Sequence, residues 1–183
     1  VEFLERHKNY SAVQGHYISF INTGQSDITI GPNYIGSIGL DINLNNVGDR
    51  LKLCMSRYMH WFYSVHHTNN LKYFFQEIHS RISSHTIGEV ALTMISAING
   101  NLRVLPVFYA ARDTYQNVER PCERSFVDAM TSPESNREYE VFSKCIVEYF
   151  CKRTKSSRTD GRKYVKDAID LYIHDSIDKN SNI

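Results

Sequence analysis

Apolar residues recur at helical spacing between Ile87 and Ile98, where Ile87, Val90, Ala91, Met94, Ile95 and Ile98 share one face, and this commits a helix to a core. Asn99-Gly100-Asn101 predicts its end, because glycine readily takes the left-handed conformation that closes helices. The following run, Leu102 to Tyr109, is almost continuously apolar, as in a strand buried on both faces of a parallel sheet. Upstream, Val1 to Gln14 is polar with one short apolar patch and reads as a leading arm or short helix. Tyr17 to Ile21 reads as a strand, and Ile28 to Leu40 holds one or two strands around the turn Gly31-Pro32-Asn33. From Gly48 to His66 a helical stripe runs through Leu51, Cys54, Met55, Tyr58, Trp61, Phe62 and Val65, and Leu71 to Gln76 reads as the strand that leads toward Ser83.

Beyond Tyr109 the pattern predicts a polar loop (AARDTYQNVERP) and a short helix near Cys122. A longer helix follows through Tyr139, Phe142, Cys145, Ile146, Tyr149 and Phe150, and a terminal one through Tyr164, Val165, Ala168, Ile169, Tyr172 and Ile173. Strands alternating with helices imply an α/β fold, with a mostly parallel sheet flanked by helices on both faces. The expected organisation is an arm over 1–15, a main domain over 16–155 and a helical extension over 156–183. Ligands of such sheets bind outside the carboxyl ends of the strands, and the helix that carries Glu89 begins at that edge.

Composition narrows the function classes only modestly. The 183 residues fit one domain, and 42% hydrophobic content is enough for a sizeable core. A formal net charge of +1 gives no global pull toward nucleic acid or a membrane surface. Cys54, Cys122, Cys145 and Cys151 show no CxxC spacing, so buried free thiols and a reducing, cytoplasmic setting are expected. No run is long enough to span a bilayer, and the first residues are too charged for a signal peptide. A chain that begins at Val1 is compatible with a piece of a longer protein, so a membrane anchor elsewhere in a parent is not excluded.

Glu89 is the candidate catalytic group. It is expected in the first turn of its helix, where the helix dipole favours an ionised carboxylate. A glutamate there is commonly no more than favourable capping electrostatics, and only its register with Ser83 and the Leu105 strand sets a catalytic reading beside that one. Ser83 and Ser84 are good N-cap residues on structural grounds alone. His66-His67 lacks partners at metal spacing and reads as a surface loop pair, so no metal is expected. Cys54 lies on an apolar stripe and reads as an inert thiol. The basic segment Lys152 to Lys163 reads as a solvated linker between two helices.

Ser83 stands 89 − 83 = 6 positions before Glu89, and Val104-Leu105-Pro106-Val107-Phe108-Tyr109 follows the helix. In this spacing and this strand the chain resembles the Toll/interleukin receptor (TIR) domains, especially the plant and enzymatic type, whose Ser-x-Trp-Cys-x-x-Glu element opens a helix ahead of a similar strand. His85 and Thr86 replace the Trp and Cys of that element. More loosely, Tyr17-Ile18-Ser19-Phe20 resembles the first strand of the family, and Leu40 to Leu51, with Gly48, resembles its BB loop. The resemblance spans roughly Tyr17 to Phe150 and implies a TIR-like (flavodoxin-like) fold. The first helix would be shortened, because only Thr23 to Asn33 is available for it, and the terminal helix would be additional.

For function the resemblance implies cleavage of NAD at the nicotinamide–ribose bond, giving a linear or cyclic product in a signalling, defence or cell-death role. NAD would be the substrate, with no further cofactor. Glu89 would be catalytic, Phe20 and His85 would stand in the places of the aromatic platform, Ser83 would belong to the motif, and Asp49 and Arg50 would meet phosphates or a neighbouring subunit. The expected partners are further copies of the chain or other TIR domains, with no nucleic acid and no membrane contact. Two alternatives stay open beside it: a non-enzymatic TIR scaffold that assembles through the BB-like loop, and an enzyme resembling nucleoside deoxyribosyltransferases, which also set a glutamate against a ribosyl centre.

Overall fold

Five strands form one sheet in the computed structural model, which describes residues 1–22, 28–30, 40–113 and 133–180. They are β1 (Tyr10–Asn22), β2 (Ile28–Ile30), β3 (Asp41–Ile42), β4 (Val65–His66) and β5 (Asn101–Asp113). The order is β2-β1-β5-β3, with β4 also pairing β1. Only β1 and β5 are parallel among the described pairs, and β1–β2, β1–β4 and β3–β5 are antiparallel. The α/β class is therefore as expected, but the sheet is mixed and not mostly parallel.

The expected strand at Leu71 to Gln76 is helical. It lies in α3, which follows α1 (Glu2–Arg6) and α2 (Val47–Ser56) and spans Thr68–Tyr73, and in the π-helical turn Phe74–Ile78 that continues it. Leu71, Phe74 and Ile78 are spaced i, i+3 and i+7, so a helix puts all three toward the core, where an extended chain would split them between two faces. The stripe from Gly48 to His66 is likewise interrupted, because α2 ends at Ser56 and Trp61–Tyr63 forms a separate 3-10 turn with the Trp61 ring fully buried.

The remaining helices are α4 (His85–Asn99), α5 (Pro133–Thr154) and α6 (Arg158–Asn180). Every residue of α4 from Ile87 to Ile98 is buried. One side of it lies on Ala12 of β1 and on Leu102 and Val104 of β5, while Leu51 and Met55 of α2, Phe142, Ile146 and Phe150 of α5 and Val165 and Ile169 of α6 belong to the same core. Each fully buried Ile, Leu or Met contributes about 1.5–3 kcal/mol, so this face of the sheet holds most of the stabilising burial. The opposite face carries a small cluster, in which Leu4 of α1 meets Tyr10 and Val13, and Arg103 lies over the Phe3 ring. The leading fifteen residues thus supply α1 and the start of β1, and the terminal helix shares the main core.

Only the first half of β5 is buried as expected. Leu102 and Val104 are covered, but Val107, Phe108 and Tyr109 are 51%, 66% and 41% exposed. β3 pairs with β5 at Leu102 and Arg103, and among the described residues no strand pairs β5 on that side at Pro106, whose missing N–H therefore costs no described ladder bond. On the other edge the register slips between Gln14↔Val104 and His16↔Phe108, and a Cβ at Gly15 would lie 2.4 Å from the Val107 carbonyl oxygen. Gly100 does end α4, but in an extended conformation with φ 179°. A glycine is needed there because β1 passes so close that a Cβ would sit 2.8 Å from the Asn9 carbonyl oxygen.

Residues 110–113, expected in a polar loop, continue β5, and the rest of that loop, the helix near Cys122 and the turn at Gly31-Pro32-Asn33 lie outside the described residues. The basic segment is mostly helical: α5 runs to Thr154, α6 starts at Arg158, and Lys155 makes the turn with φ 57°. Cys54 and Cys145 are buried free thiols and Cys151 is a partly buried one. Among the described residues no helix is long and apolar enough to cross a membrane.

Arg50 closes the C-terminal end of α4. Its Nε donates to the Ala97 carbonyl at 2.6 Å, one terminal nitrogen donates to the Ile98 carbonyl at 3.1 Å, and the other donates to the Leu44 carbonyl. The side chain is 6% exposed, and burial lowers its pKa from the ordinary arginine value. Replacing Arg50 by Leu leaves these acceptors without a donor, and the expected loss of unfolding free energy is about 3 kcal/mol by equilibrium urea denaturation. Arg50→Lys recovers less than half, since one ammonium does not span three carbonyls. A change below about 0.5 kcal/mol for Arg50→Leu, typical of a solvated arginine, contradicts this role.

Candidate functional site

The Ser84 hydroxyl caps α4 by accepting from the Ile87 N–H at 3.3 Å. His85 is then the first helical residue and Glu89 the fifth, so Glu89 lies in the second turn and not in the first as expected. The helix dipole fades within the first turn. What holds the carboxylate ionised is a set of side chains gathered around it.

His85 precedes Glu89 by four positions, which puts both on one helix face, and its Nε2 lies 3.1 Å from Oε1. The Tyr63 hydroxyl donates to the same oxygen at 2.7 Å. His60 Nδ1, which makes no hydrogen bond of its own, stands 3.5 Å from Oε2, an ion-pair distance. Tyr63 and His60 come from the 3-10 turn Trp61–Tyr63 and the residue before it. The buried Trp61 anchors that turn, and the Tyr109 hydroxyl of β5 donates to the Tyr63 carbonyl at 3.0 Å. Aromatic rings close the surroundings: Phe62 packs edge-on against His85, and Tyr58 lies edge-on to both His60 and Tyr172.

Glu89 is 9% exposed. Burial pushes its carboxyl up, but the close approach of His60, the Tyr63 hydrogen bond and the charge of His85 outweigh burial and hold it below the ordinary glutamate value. Burial raises the Tyr58 hydroxyl well above the ordinary tyrosine value, and the neighbouring Tyr172 and Glu89 charges act in the same direction. The arrangement is a mostly buried, ionised carboxylate with Tyr63 and His85 on one oxygen and His60 at ion-pair distance from the other, at the end of α4 that faces the C-terminal halves of the parallel strands.

The structure brings two of the six predicted site residues together, Glu89 and His85. His85 contacts the carboxylate directly, and its ring meets Phe62, a role different from the stacking platform its place in the motif implied. Ser83 serves a packing contact: its N–H donates to Glu138 Oε1 of α5 at 3.0 Å, its hydroxyl donates to the same oxygen, and the Ser84 N–H donates to Oε2 at 3.1 Å. Burial raises the Glu138 carboxyl and these donors lower it further, so the net direction is down. Phe20 sits far along β1, opposite Asp113 and Ile30, and no described contact joins it to Glu89.

Of the segment expected as a strand end and BB-like loop, Asp41–Ile42 is β3 and the part from Val47 onward, with Gly48, Asp49 and Arg50, is the start of α2. Gly48 lies against the Tyr164 ring of α6, and the Asp49 N–H donates to the Asn46 cap at 3.0 Å. The Asp49 carboxylate sits in the first turn of α2, 3.4 Å from Lys52. Arg50 belongs to the far end of α4, about 12 Å from Glu89 at 1.5 Å per residue, and every nitrogen of its guanidinium is engaged there.

His66 is structural. His66 Nδ1 is 2.9 Å from the Ser96 hydroxyl and Nε2 is 2.7 Å from the Trp61 carbonyl, and burial lowers its pKa against the backbone contacts that raise it. It is therefore part of β4 and not of a surface loop. Burial also drives the Cys54 thiol far above its ordinary value, which keeps it protonated and inert. Among the described residues no group of three or more His, Cys, Asp or Glu is placed to hold a metal ion.

Sequence reasoning missed His60 and Tyr63. The only signal was the density of ring side chains in Tyr58-Met59-His60-Trp61-Phe62-Tyr63, which fitted a continuing helix equally well. No protein-family model matches the chain, and neither a curated protein nor a solved structure shows detectable similarity to it.

Because the folded carboxyl titrates below the unfolded one, Glu89 contributes stability that is present above about pH 4.3, the unfolded value, and is lost as pH falls through the folded value. Wild type is expected to exceed Glu89→Gln in unfolding free energy at pH 7, and the gap is expected to narrow below about pH 4.3 in urea titrations. A gap that widens on acidification contradicts the assignment.

Proposed function

We propose that the chain is an N-ribosyl hydrolase of the TIR type that cleaves NAD at the nicotinamide–ribose bond, with Glu89 as the catalytic carboxylate. The observation that carries this reading is the ionised, mostly buried Glu89 with Tyr63, His60 and His85 around it. Nicotinamide leaves a cationic precursor as a neutral molecule, so the reaction needs no general acid at the leaving group. It needs a fixed negative charge beside the ribose as positive charge develops at the anomeric carbon. Tyr63 and His85 both meet Oε1, which leaves Oε2, faced by His60 at 3.5 Å, as the oxygen to accept from a ribose hydroxyl. The rings of Phe62 and Tyr58 supply apolar surface for an aromatic base. Water completes hydrolysis, or the adenine ring of the same substrate attacks and closes a cyclic product.

A second reading is an assembly domain without activity. The observation in its favour is the second half of β5, which presents Val107 and Phe108 at 51% and 66% exposure and has no partner strand on its β3 side among the described residues. Open apolar strand edges are templates for pairing with another chain.

One assay separates the two. Protein concentrated enough to be oligomeric by sedimentation is incubated with NAD, and nicotinamide is followed by chromatography. Wild type is expected to release it, Glu89→Gln to lose about 100-fold in rate, and Tyr63→Phe to lose about 10-fold. No release by the assembled wild type, or equal release by folded Glu89→Gln, removes the enzymatic reading.

A further inference from the structure

At the other end of α4 from Glu89 lies a cleft of about 220 Å³, lined by residues from the turn before β1, from α3, from the end of α4 and from α5. We propose that it is a binding site for a small phosphate-type anion, either inorganic phosphate or the phosphate of a small monoester. The inference is independent of the reading of Glu89, since no residue of that cluster lines the cleft.

Two of the lining amides, Asn70 and Asn99, are arranged so that their carbonyl oxygens already hold a donor. The Tyr149 hydroxyl donates to Asn99 Oδ1 at 2.8 Å, Asn99 Nδ2 donates to Asn70 Oδ1 at 2.7 Å, and Asn70 Nδ2 donates to the Ser11 carbonyl at 3.3 Å. This chain fixes which way each amide points. Each carbonyl oxygen of the two amides holds a donor, while each amide nitrogen keeps a second N–H. His67 Nε2 lies 3.0 Å from the Tyr10 carbonyl, an acceptor only, so that nitrogen carries the proton. Tyr149 is held in place by stacking on Tyr73 with ring centroids 4.1 Å apart.

Charge points the same way. Lys8 and Arg153 both line the cleft, no lining residue is a carboxylate, and neither cation has an ion-pair partner among the described residues. Arg153 alone has a structural explanation, as a cation in the last turn of α5. Lys8 comes from a different element, and its convergence on the same cleft is not explained by that helix. The Ser96, Ala97 and Ile98 carbonyls of the last turn of α4, which make a helix end unfriendly to anions, are already covered. Arg50 takes those of Ala97 and Ile98, and the Ser96 carbonyl accepts from the Ser11 hydroxyl at 2.5 Å and from the Gly100 N–H at 3.1 Å.

The result is a recess with several free N–H donors, two cations and no carboxylate, one of the cations being a guanidinium, the group whose fork matches phosphate oxygens. Its volume falls below the roughly 300 Å³ at which sites for drug-sized ligands begin, which limits the ligand to a few heavy atoms beyond the phosphate itself.

Calorimetric titration of the full chain with inorganic phosphate, at ionic strength held constant with sodium chloride, tests this. Saturable binding is expected, weakened tenfold or more in Arg153→Gln and in Lys8→Gln and unchanged in Glu89→Gln. Glycerol 3-phosphate against glycerol forms the second arm: tighter binding of the ester than of inorganic phosphate assigns an ester ligand, equal binding assigns the free anion, and glycerol itself is expected not to bind. No saturable heat with either phosphate compound, or the same affinity in wild type and both cation variants while all remain folded by circular dichroism, overturns the proposal.

Discussion

The burial of α4 from Ile87 to Ile98 is the constraint on which the rest of the structure depends. A helix covered on all sides from Ile87 to Ile98 leaves the carbonyls of its last turn away from water, and the protein supplies partners for the backbone groups at both of its ends. At the N-terminus Ser84 caps the helix, and Glu138 of α5 receives the Ser83 and Ser84 N–H groups just ahead of it. At the C-terminus Arg50 of α2 and Ser11 of β1 take up the carbonyls. Elements far apart in sequence are therefore fixed to one another through the two ends of a single helix, and each end becomes a place where polar side chains converge.

Those two ends differ in sign. Around the second turn of α4 the converging groups are donors aimed at one carboxylate, which stays charged although burial opposes it. Around the last turn the carbonyls are neutralised by Arg50 and Ser11, and the amides and cations that remain face a cleft. The same helix thus presents a fixed negative charge toward the C-terminal half of the parallel β1–β5 pair and a donor-lined recess toward its start. The position of Glu89 follows from packing as much as from chemistry: its backbone carbonyl accepts from the Thr93 hydroxyl at 2.9 Å, and the anchored Trp61 turn carries His60 and Tyr63 to its side chain.

How legible this was depended on whether the signal was local. α4, α5 and α6 were readable because a helix that buries apolar side chains repeats them every three to four residues, and the start of β5 because a doubly covered strand is continuously apolar. The start of β1 was obscured because Ser11 and Gln14 look solvated. Both are buried, Ser11 against the α4 carbonyls and Gln14 Oε1 accepting from the Ser64 hydroxyl at 3.1 Å. LKYFFQ was misread because six apolar-rich residues fit either period, and the choice between them is made by the Phe74 and Ile78 contacts beneath α4. Glu89 and its helical neighbour His85 were identifiable at i and i+4, while His60 and Tyr63 reach the carboxylate only through tertiary packing. Arg50 was placed in a loop because its partners at the end of α4, the Ala97 and Ile98 carbonyls, lie 47 and 48 residues downstream.

Native-state hydrogen exchange of the α4 amides tests the central claim most directly. If the helix is the element about which everything else is packed, the amides from Val90 to Ile98 exchange only by global unfolding, with opening free energies equal to the whole unfolding free energy from urea denaturation. Opening of α4 at distinctly lower free energy than α5 or α6 contradicts the account, because a helix that opens while its surroundings stay folded cannot be what holds them together.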